Sequence, residues 1–512
     1  PPPAPGGPSM RASVATRLAF LAMVQPAALL RIQRPALQRA LCASARSLGV
    51  RLAEPVAASG RKSAAVAQDE KVAVGGGGGP RVAVDLNPPR GTRDFYPEDM
   101  ALRTWLFDAW RREAALHGFD EYDAPVLESV ELYERKAGED VSVQLYNFED
   151  KGGRRVTLRP EMTPSLARMV LSRRNALPTP LKWFSIPQCW RYERTTRGRR
   201  REHYQWNMDV WGVADTRAEA ELLAAAVGFM RRVGLTAKDV GIKVSTRKVL
   251  SELLSRLGVP DSRFASTCVL VDKLDKLPPD QVNSALVEAG LTPAAADELL
   301  AALACSDFEA LAATLGEDSP ALAELKGLFT LAEAYGIGEW LVLDVSVVRG
   351  LAYYTGTVFE GFDRSGELRA IFGGGRYDKL LGTFGADNMP AAGFGFGDAV
   401  ITELLTVKGL LPNLDSQAKT QIVVAPLGGE QAAAAAALAS ALRDAGVTTD
   451  LVLEDKKIKW IFKHSERIRA RYVVVLGGDE VESGVARVKR LSDGEQFQVA
   501  LKEMPVWMAE QN

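Results

Sequence analysis

The sequence predicts an α+β fold, a sheet of hairpin-forming strands with flanking helices and a helical insert, followed by a smaller α/β domain. Three observations lead there. Two aromatic, β-branched runs, "LKWFSIPQCWRYE" (181–193) and "YQWNMDVWGV" (204–213), flank an arginine-rich stretch and read as the arms of one long hairpin. Residues 247–340 are rich in Ala, Leu and Glu and punctuated by Pro260, Pro278, Pro279 and Pro293, which reads as a helical insert. After "LPNLDSQAK" (411–419) the pattern changes to strand–helix alternation, the mark of an α/β unit.

The elements follow in chain order. Residues 1–79 form a leader and linker. Arg11, Arg17, Arg31, Arg34, Arg39, Arg46 and Arg51 occur before the first acidic residue, Glu54, and "GGGGG" at 75–79 supplies a flexible joint. Arginine without acid among Ala, Ser and Leu is the composition of an organellar transit peptide, so chloroplast and/or mitochondrion is the expected destination. The main body, 80–410, opens with an amphipathic helix over 100–117, with Leu102, Leu106, Trp110 and Leu116 near one face and Gly118 as its stop. "FDEYDAPVLE" (119–128) reads as a strand carrying Pro125, a residue tolerated at an edge or a special interface. Residues 143–149 and 154–159 flank "DKGG" as a hairpin, and Thr216 with Glu219 forms a capping box for a helix over 216–233. "WLVLDVS" (340–346) resumes the sheet, and strands near 357–362 and 368–373 enclose "DRSG". In the second domain, 420–505, strands are expected at 421–425, 448–453 and 472–476, with helices to about 445 and over 456–470.

Composition narrows the chemistry. The chain has 512 residues, 47% of them hydrophobic, enough for two to four domains. A formal net charge of -1 argues against a general nucleic-acid-coating protein and leaves any such contact to local patches. Cys42, Cys189, Cys268 and Cys305 form no CxxC pair, and His117, His203 and His464 have no metal-ligand spacing, so no protein-bound structural metal is expected. No apolar run reaches the roughly 18–20 residues of a membrane span.

Three runs carry the chemistry. "RYERTTRGRRREHYQ" (191–205) concentrates arginine, and could be a solvated loop, a nucleic-acid arm or the wall of a polyphosphate site. Guanidinium groups bind phosphate oxygens in pairs and do not titrate away. With strand alternation, Arg191 and Glu193 share one face, as do His203, Gln205 and Asp209, which favours the site reading. "VRGLAYYTGTVFE" (348–360) sets Arg349 beside Tyr353 and Tyr354; taken alone, such an arginine is more often a cation–π partner than a catalyst. In "LRPEMTPSLAR" (158–168), Glu161 and Thr163 straddle a helix start, where Thr163 could be a simple N-cap.

Together these runs resemble the class II histidyl-tRNA synthetases over about residues 85–505. "RYERTTRGRRREHYQ" is similar to their motif 2, "GTRDFYPED" through "FDEYDAPVLE" to motif 1 and its lead-in, and "LRPEMT" to their LRPE-x-T segment. "RGLAYYTGTVFE" and "GGGRYDKLL" resemble the two histidine-specific signatures. The resemblance implies the class II antiparallel sheet, a C-terminal anticodon-binding domain and a homodimer joined through motif 1. It implies a ligase that activates L-histidine with ATP and Mg²⁺ and passes it to tRNA(His). Arg191 and Arg349 would be catalytic, gripping the α-phosphate. Glu161, Met162, Thr163, Gln205, Asp209, Tyr353 and Tyr354, with Arg191 and Arg349, would bind histidine. Arg191, Glu193, Arg199 and His203 would bind ATP, and Arg197–Arg200 would approach the acceptor end of tRNA. The alternative is a non-catalytic regulator on the same fold that senses histidine or tRNA. Three positions depart from the family pattern: His203 stands where a phenylalanine stacks on adenine, Ala352 where many relatives have aspartate, and Val400 where motif 3 ends in an arginine.

Overall fold

The computed structural model describes residues 85–134, 143–271, 279–347, 353–414 and 420–511. The expected leader and linker, 1–79, and the run 348–352, which includes Arg349, lie outside the described residues.

A nine-stranded sheet organises the body. Its strands run in the order Asp120–Glu121, Leu181–Ser185, Glu202–Trp211, Ala391–Gly397, Phe372–Arg376, Thr357–Asp363, Val240–Thr246 and Leu341–Leu343, with Gln188–Trp190 pairing on Glu202–Trp211. The centre is antiparallel, as expected. The two outermost pairings are parallel, so the sheet is mixed. The long hairpin is present: Leu181 pairs with Trp211 and Trp190 with Glu202, leaving 191–201 as the loop.

Strand alternation divides the sheet into two faces. Trp206, Met208 and Val210 enter the main core, whereas Gln205 and Asn207 line a cavity on the other side. Against the core face pack helices Pro97–Leu116 and Arg217–Arg232. Trp110 stacks near Trp206 with ring centroids 6.0 Å apart, and Phe372 stacks on Phe396 at 4.8 Å. An aromatic pair of this kind adds about 0.5–1.5 kcal/mol beyond its buried area. Among the described residues the insert forms six helices, from Arg247–Arg256 to Pro320–Ala334, and its apolar faces join the same core. Pro279, Pro293 and Pro320 each open a helix, where a missing N–H costs nothing.

Several expectations are corrected by long-range contacts. The run 119–128 is not one strand: Asp120–Glu121 joins the large sheet and Leu127–Ser129 joins a three-stranded sheet with Tyr146–Glu149 and Arg155–Leu158, with Pro125 at the crossing between them. Leu116 is exposed rather than on the buried face. Thr216 makes no side-chain cap bond, and Glu219 is fully buried in an ion pair with Arg376 at 2.6 Å. A buried guanidinium competes better for that carboxylate than an exposed backbone N–H does. "WLVLDVS" yields only Leu341–Leu343, and the strand expected near 368–373 is Phe372–Arg376.

The C-terminal unit has its own five-stranded sheet, ordered Thr449–Leu451, Ile422–Pro426, Tyr472–Leu476, Val485–Arg490 and Gln496–Ala500. The first three strands are parallel, as the alternation predicts. The last two, an antiparallel pair, and the closing helix Met504–Glu510 are additions the periodicity does not announce.

His117 ties four elements of the body together. Its ring lies 3.6 Å from Glu113 and 3.2 Å from Glu221, while Lys182 and Tyr335 also bond Glu221, at 2.7 and 2.8 Å. Glu113 and then Glu221 raise the imidazole pKa to about 9 against the opposing effect of burial. A raised histidine pKa means that the folded state holds the proton more tightly. This stabilisation is complete below the unfolded value of 6.5 and is lost as pH rises through about 9. The stability gap between the protein and a His117→Gln variant is therefore expected to shrink between pH 6 and pH 10 in urea titrations. A gap that does not change with pH would show that the ring is only packed.

Candidate active site

On the sheet face opposite the aromatic core lie two adjoining cavities, of about 620 Å³ and about 290 Å³. Arg191, Glu193, Arg199, Gln205 and Arg369 line both, so the two spaces form one cleft. A cleft of this size suits a small-molecule pair, not a single ion.

The floor is made by glycines. A Cβ placed on Gly395 would stand 2.1 Å from Gln205 Nε2, and one on Gly393 would stand 2.2 Å from Asp209 Oδ1 and 2.8 Å from the Met208 carbonyl. Both clashes are far inside van der Waals contact. The glycine-dense run 372–400 thus keeps side chains of the central strands from filling the cleft, a reason that composition alone does not supply.

The larger cavity is a polar pocket. Glu161, Thr163, Gln144, Asn207, Tyr353 and Tyr354 line it. The Tyr353 hydroxyl donates to Glu161 Oε2 at 3.0 Å. Burial, with the nearby Glu161 charge, pushes the Tyr353 phenol well above its ordinary pKa, so it stays a neutral donor. Thr163 is the first residue of helix Thr163–Ser172, not its cap, and its side of the helix start faces the pocket. Two expected residues are placed differently. Met162 is fully buried, accepts a contact from Arg159 at 3.6 Å through its sulfur, and does not line the cavity. Asp209 lies beneath the wall, where it accepts a hydrogen bond from the Tyr377 hydroxyl. Because Tyr377 lines the pocket, Asp209 acts on it through that ring.

The smaller cavity is cationic and apolar. Arg191, Arg199, Arg200 and Arg369 enter it with His203, Phe372 and Val400. Arg191 and Glu193 lie beyond the end of the Gln188–Trp190 strand, not on it, yet both reach the cleft. The Arg191 Nε donates to the Pro160 carbonyl at 3.0 Å, and its backbone N–H to the Arg201 carbonyl at 2.8 Å. Glu193 holds Arg199 at 3.0 Å. Arg197 turns to Glu403. Burial, then Arg191 and Arg93, depress His203 to about 3, so the ring presents a neutral face. At the far end Asp398 takes Arg93 at 2.8 Å and the Tyr204 N–H at 3.0 Å, fixing helix Asp398–Val407 to the hairpin.

Arg369, Asn207, Gln144, Glu360 and Tyr377 were not expected in the site. Asn207 could have been found, since it continues the alternation of Gln205 and Asp209. Tyr377 and Glu360 stand inside runs already singled out. Gln144 and Arg369 have no such local signal.

Comparisons with known proteins bear on the family and the fold. A family model described as histidyl-tRNA synthetase matches residues 91–397, and one described as an anticodon-binding domain matches 421–511. This chain belongs to the histidyl-tRNA synthetase family. Among histidyl-tRNA synthetase relatives, the chloroplastic/mitochondrial histidine–tRNA ligase of Arabidopsis thaliana is 55% identical over 421 residues, which are 82% of this chain and 86% of that protein. The histidine–tRNA ligase of Opitutus terrae is 39% identical over 78% of this chain and 93% of its own. The crystal structure of histidyl-tRNA synthetase from Nostoc sp. PCC 7120 shares the fold, with a TM-score of 0.67 at 24% identity, covering 84% of this chain and all of that one.

Proposed function

We propose that this chain is a histidine–tRNA ligase in which the polar cavity holds histidine and the arginine-lined cavity holds MgATP. The observation that carries the reading is the Tyr353–Glu161 pair, beside Thr163 and Tyr354, opening directly onto Arg191 and Arg199. Hydroxyl and carboxylate groups suit an imidazole, with one donor and one acceptor, and an ammonium. Guanidiniums suit the phosphates. The reaction joins the histidine carboxylate to the α-phosphate, releases pyrophosphate, and then passes the histidyl group to a hydroxyl of the terminal ribose of tRNA(His), releasing AMP. Such chemistry asks for positioning and fixed charge. Arg191 stabilises charge on the α-phosphate, and Arg349, assigned from its motif alone, takes the other side. Arg199 holds the outer phosphates, and the neutral His203 ring stacks on adenine. Glu161, Thr163 and Gln205 bind the amino acid, with Tyr353 and Tyr354 on the ring and Asp209 acting through Tyr377.

Pyrophosphate exchange measured across the twenty amino acids tests the assignment. Histidine alone should support it, with discrimination of roughly 10⁴ or more, because a pocket built on hydrogen bonds leaves its groups unpaired with an isostere. Exchange with another amino acid, or none with histidine, would overturn it. A non-catalytic regulator would bind histidine without exchange.

We propose a domain division, a dimer and a destination as well. Residues 80–410 carry activation and 420–505 contact tRNA, across a linker at 411–419. Two chains pair through the motif 1 region, where Val126 and Leu127 are exposed; sedimentation of an active monomer would contradict this. Residues 10–74 direct import into chloroplast and/or mitochondrion. The acid-free arginine run supports this, as does the name of the Arabidopsis relative. A diffuse cytosolic signal from a reporter fused to the segment would contradict it.

A further inference from the structure

We propose that Arg369 grips the outer phosphates of ATP opposite Arg199, supplying a cation that the helix start at Val400 cannot. The inference rests on the ligase reading above and adds a residue to it.

Among the described residues, four arginines line the smaller cavity, and their partners differ. Arg191 is tethered to the Pro160 carbonyl and Arg199 to Glu193. Arg200 and Arg369 have no hydrogen-bond or ion-pair partner among the described residues, and of these two only Arg369 lines both cavities. Its place is therefore the junction between the nucleotide and amino-acid halves. ATP whose α-phosphate meets the amino acid near this junction carries its outer phosphates along the arginine-lined wall of the smaller cavity.

The sheet sets the opposition. Arg199 rises from the loop that leads into Glu202–Trp211. Arg369 precedes Phe372–Arg376, and Ala391–Gly397 lies between those two strands. The registers Gln205 with Gly397 and Phe396 with Phe372 put the two loops on either flank of one central strand. An anion lying along that strand is reached from both sides.

Between the two loops stands Val400, in the first turn of helix Asp398–Val407. It lines the smaller cavity, and its Cγ2 would meet a Cβ built on Gly198 at 3.1 Å. That corner is filled by an apolar side chain against the arginine loop and offers no charge. Arg369 is exposed to solvent on the cleft wall. Its pKa is nonetheless drawn below the ordinary value, first by partial burial in the concave wall and then by Arg199, against the opposing pull of the Glu193 and Glu360 carboxylates. Two guanidiniums brought together repel, and a polyanion between them removes that cost.

The test uses the full chain and reads ATP and AMP separately. Arg369→Ala should weaken equilibrium binding of MgATP, without histidine, by roughly 10–100-fold, the effect of losing one charge-assisted contact. AMP affinity should stay within about twofold, because AMP lacks the outer phosphates. In pyrophosphate exchange the KM for ATP and for pyrophosphate should both rise, with the KM for histidine unchanged. Arg369→Lys should fall between, since a point charge keeps attraction but not the fork. Unchanged MgATP binding by a folded Arg369→Ala variant would overturn the proposal, as would equal weakening of ATP and AMP. Absence of histidine-dependent exchange in the unaltered protein would instead count against the ligase reading, and the binding comparison would still judge Arg369.

Discussion

Arg191→Ala is expected to lower the single-turnover rate of adenylate formation by roughly 10²–10³-fold, the cost of removing one preorganised donor from a developing oxyanion. The side chain is held in place before substrate arrives. Its Nε bonds the Pro160 carbonyl and its backbone N–H bonds Arg201, so the guanidinium end is presented to the cleft in a fixed orientation. As the carboxylate attacks, negative charge grows on the α-phosphate oxygens. A donor already in place binds that charge without reorganising, which raises rate more than affinity. Arg191→Lys should remain well below the parent, because the Pro160 tether and the second N–H cannot both be replaced. Measured at saturating ATP and histidine on protein with unchanged thermal stability, an unaltered rate would leave Arg191 with a merely structural role.

Arg376→Met is expected to be the most damaging single change to stability, by about 3–5 kcal/mol, because it leaves a buried carboxylate without its countercharge. Arg376 donates Nε and Nη2 to the two Glu219 oxygens at 2.6 Å each. It also bonds the Val213 and Asp215 carbonyls at 2.9 and 2.7 Å, and Asp378 at 3.1 Å. Both side chains are almost wholly out of water. The pair thus clamps helix Arg217–Arg232 to the central sheet below the cleft. Removing both charges should hurt less than removing one, so Arg376→Met combined with Glu219→Leu should recover part of the loss. Urea unfolding of the three variants decides it. A single-variant loss under about 1 kcal/mol, or a double variant worse than Arg376→Met, would mean the pair is not a clamp. Although Arg376 stands inside "GGGRYDKLL", it does not line the cleft.

The sequence by itself determined the parts whose causes are local. Alternation over 204–213 sends Trp206, Met208 and Val210 one way and Gln205, Asn207 and Asp209 the other, because successive side chains on a strand point to opposite faces. The paired strands of the long hairpin follow from the same pattern, the helical insert from its Ala, Leu and Glu content and proline punctuation, and the parallel core of the C-terminal unit from the change to strand–helix alternation. The local pattern singles out Arg191, Glu193, His203 and Gln205, and the family resemblance adds Arg199, Glu161, Thr163, Tyr353 and Tyr354; all nine line the cleft. Arg349 still stands on its motif, outside the described residues.

The tertiary structure decided what depends on strand order. Glu219 reads as half of a capping box from its neighbours, yet its partner is Arg376, 157 positions away. Met162 sits between two pocket residues in sequence, but the helix start turns it into the core. Asp209 shares parity with Gln205, but Tyr377, just past the strand Phe372–Arg376, donates its hydroxyl to it and stands between it and the pocket. Arg369 carries no local signal and enters the site because Phe372–Arg376 lies two strands from the arginine loop. Periodicity reports on neighbours within a turn or a pleat. Which distant segment arrives opposite a side chain is set by which strands pair, and that is a property of the whole core.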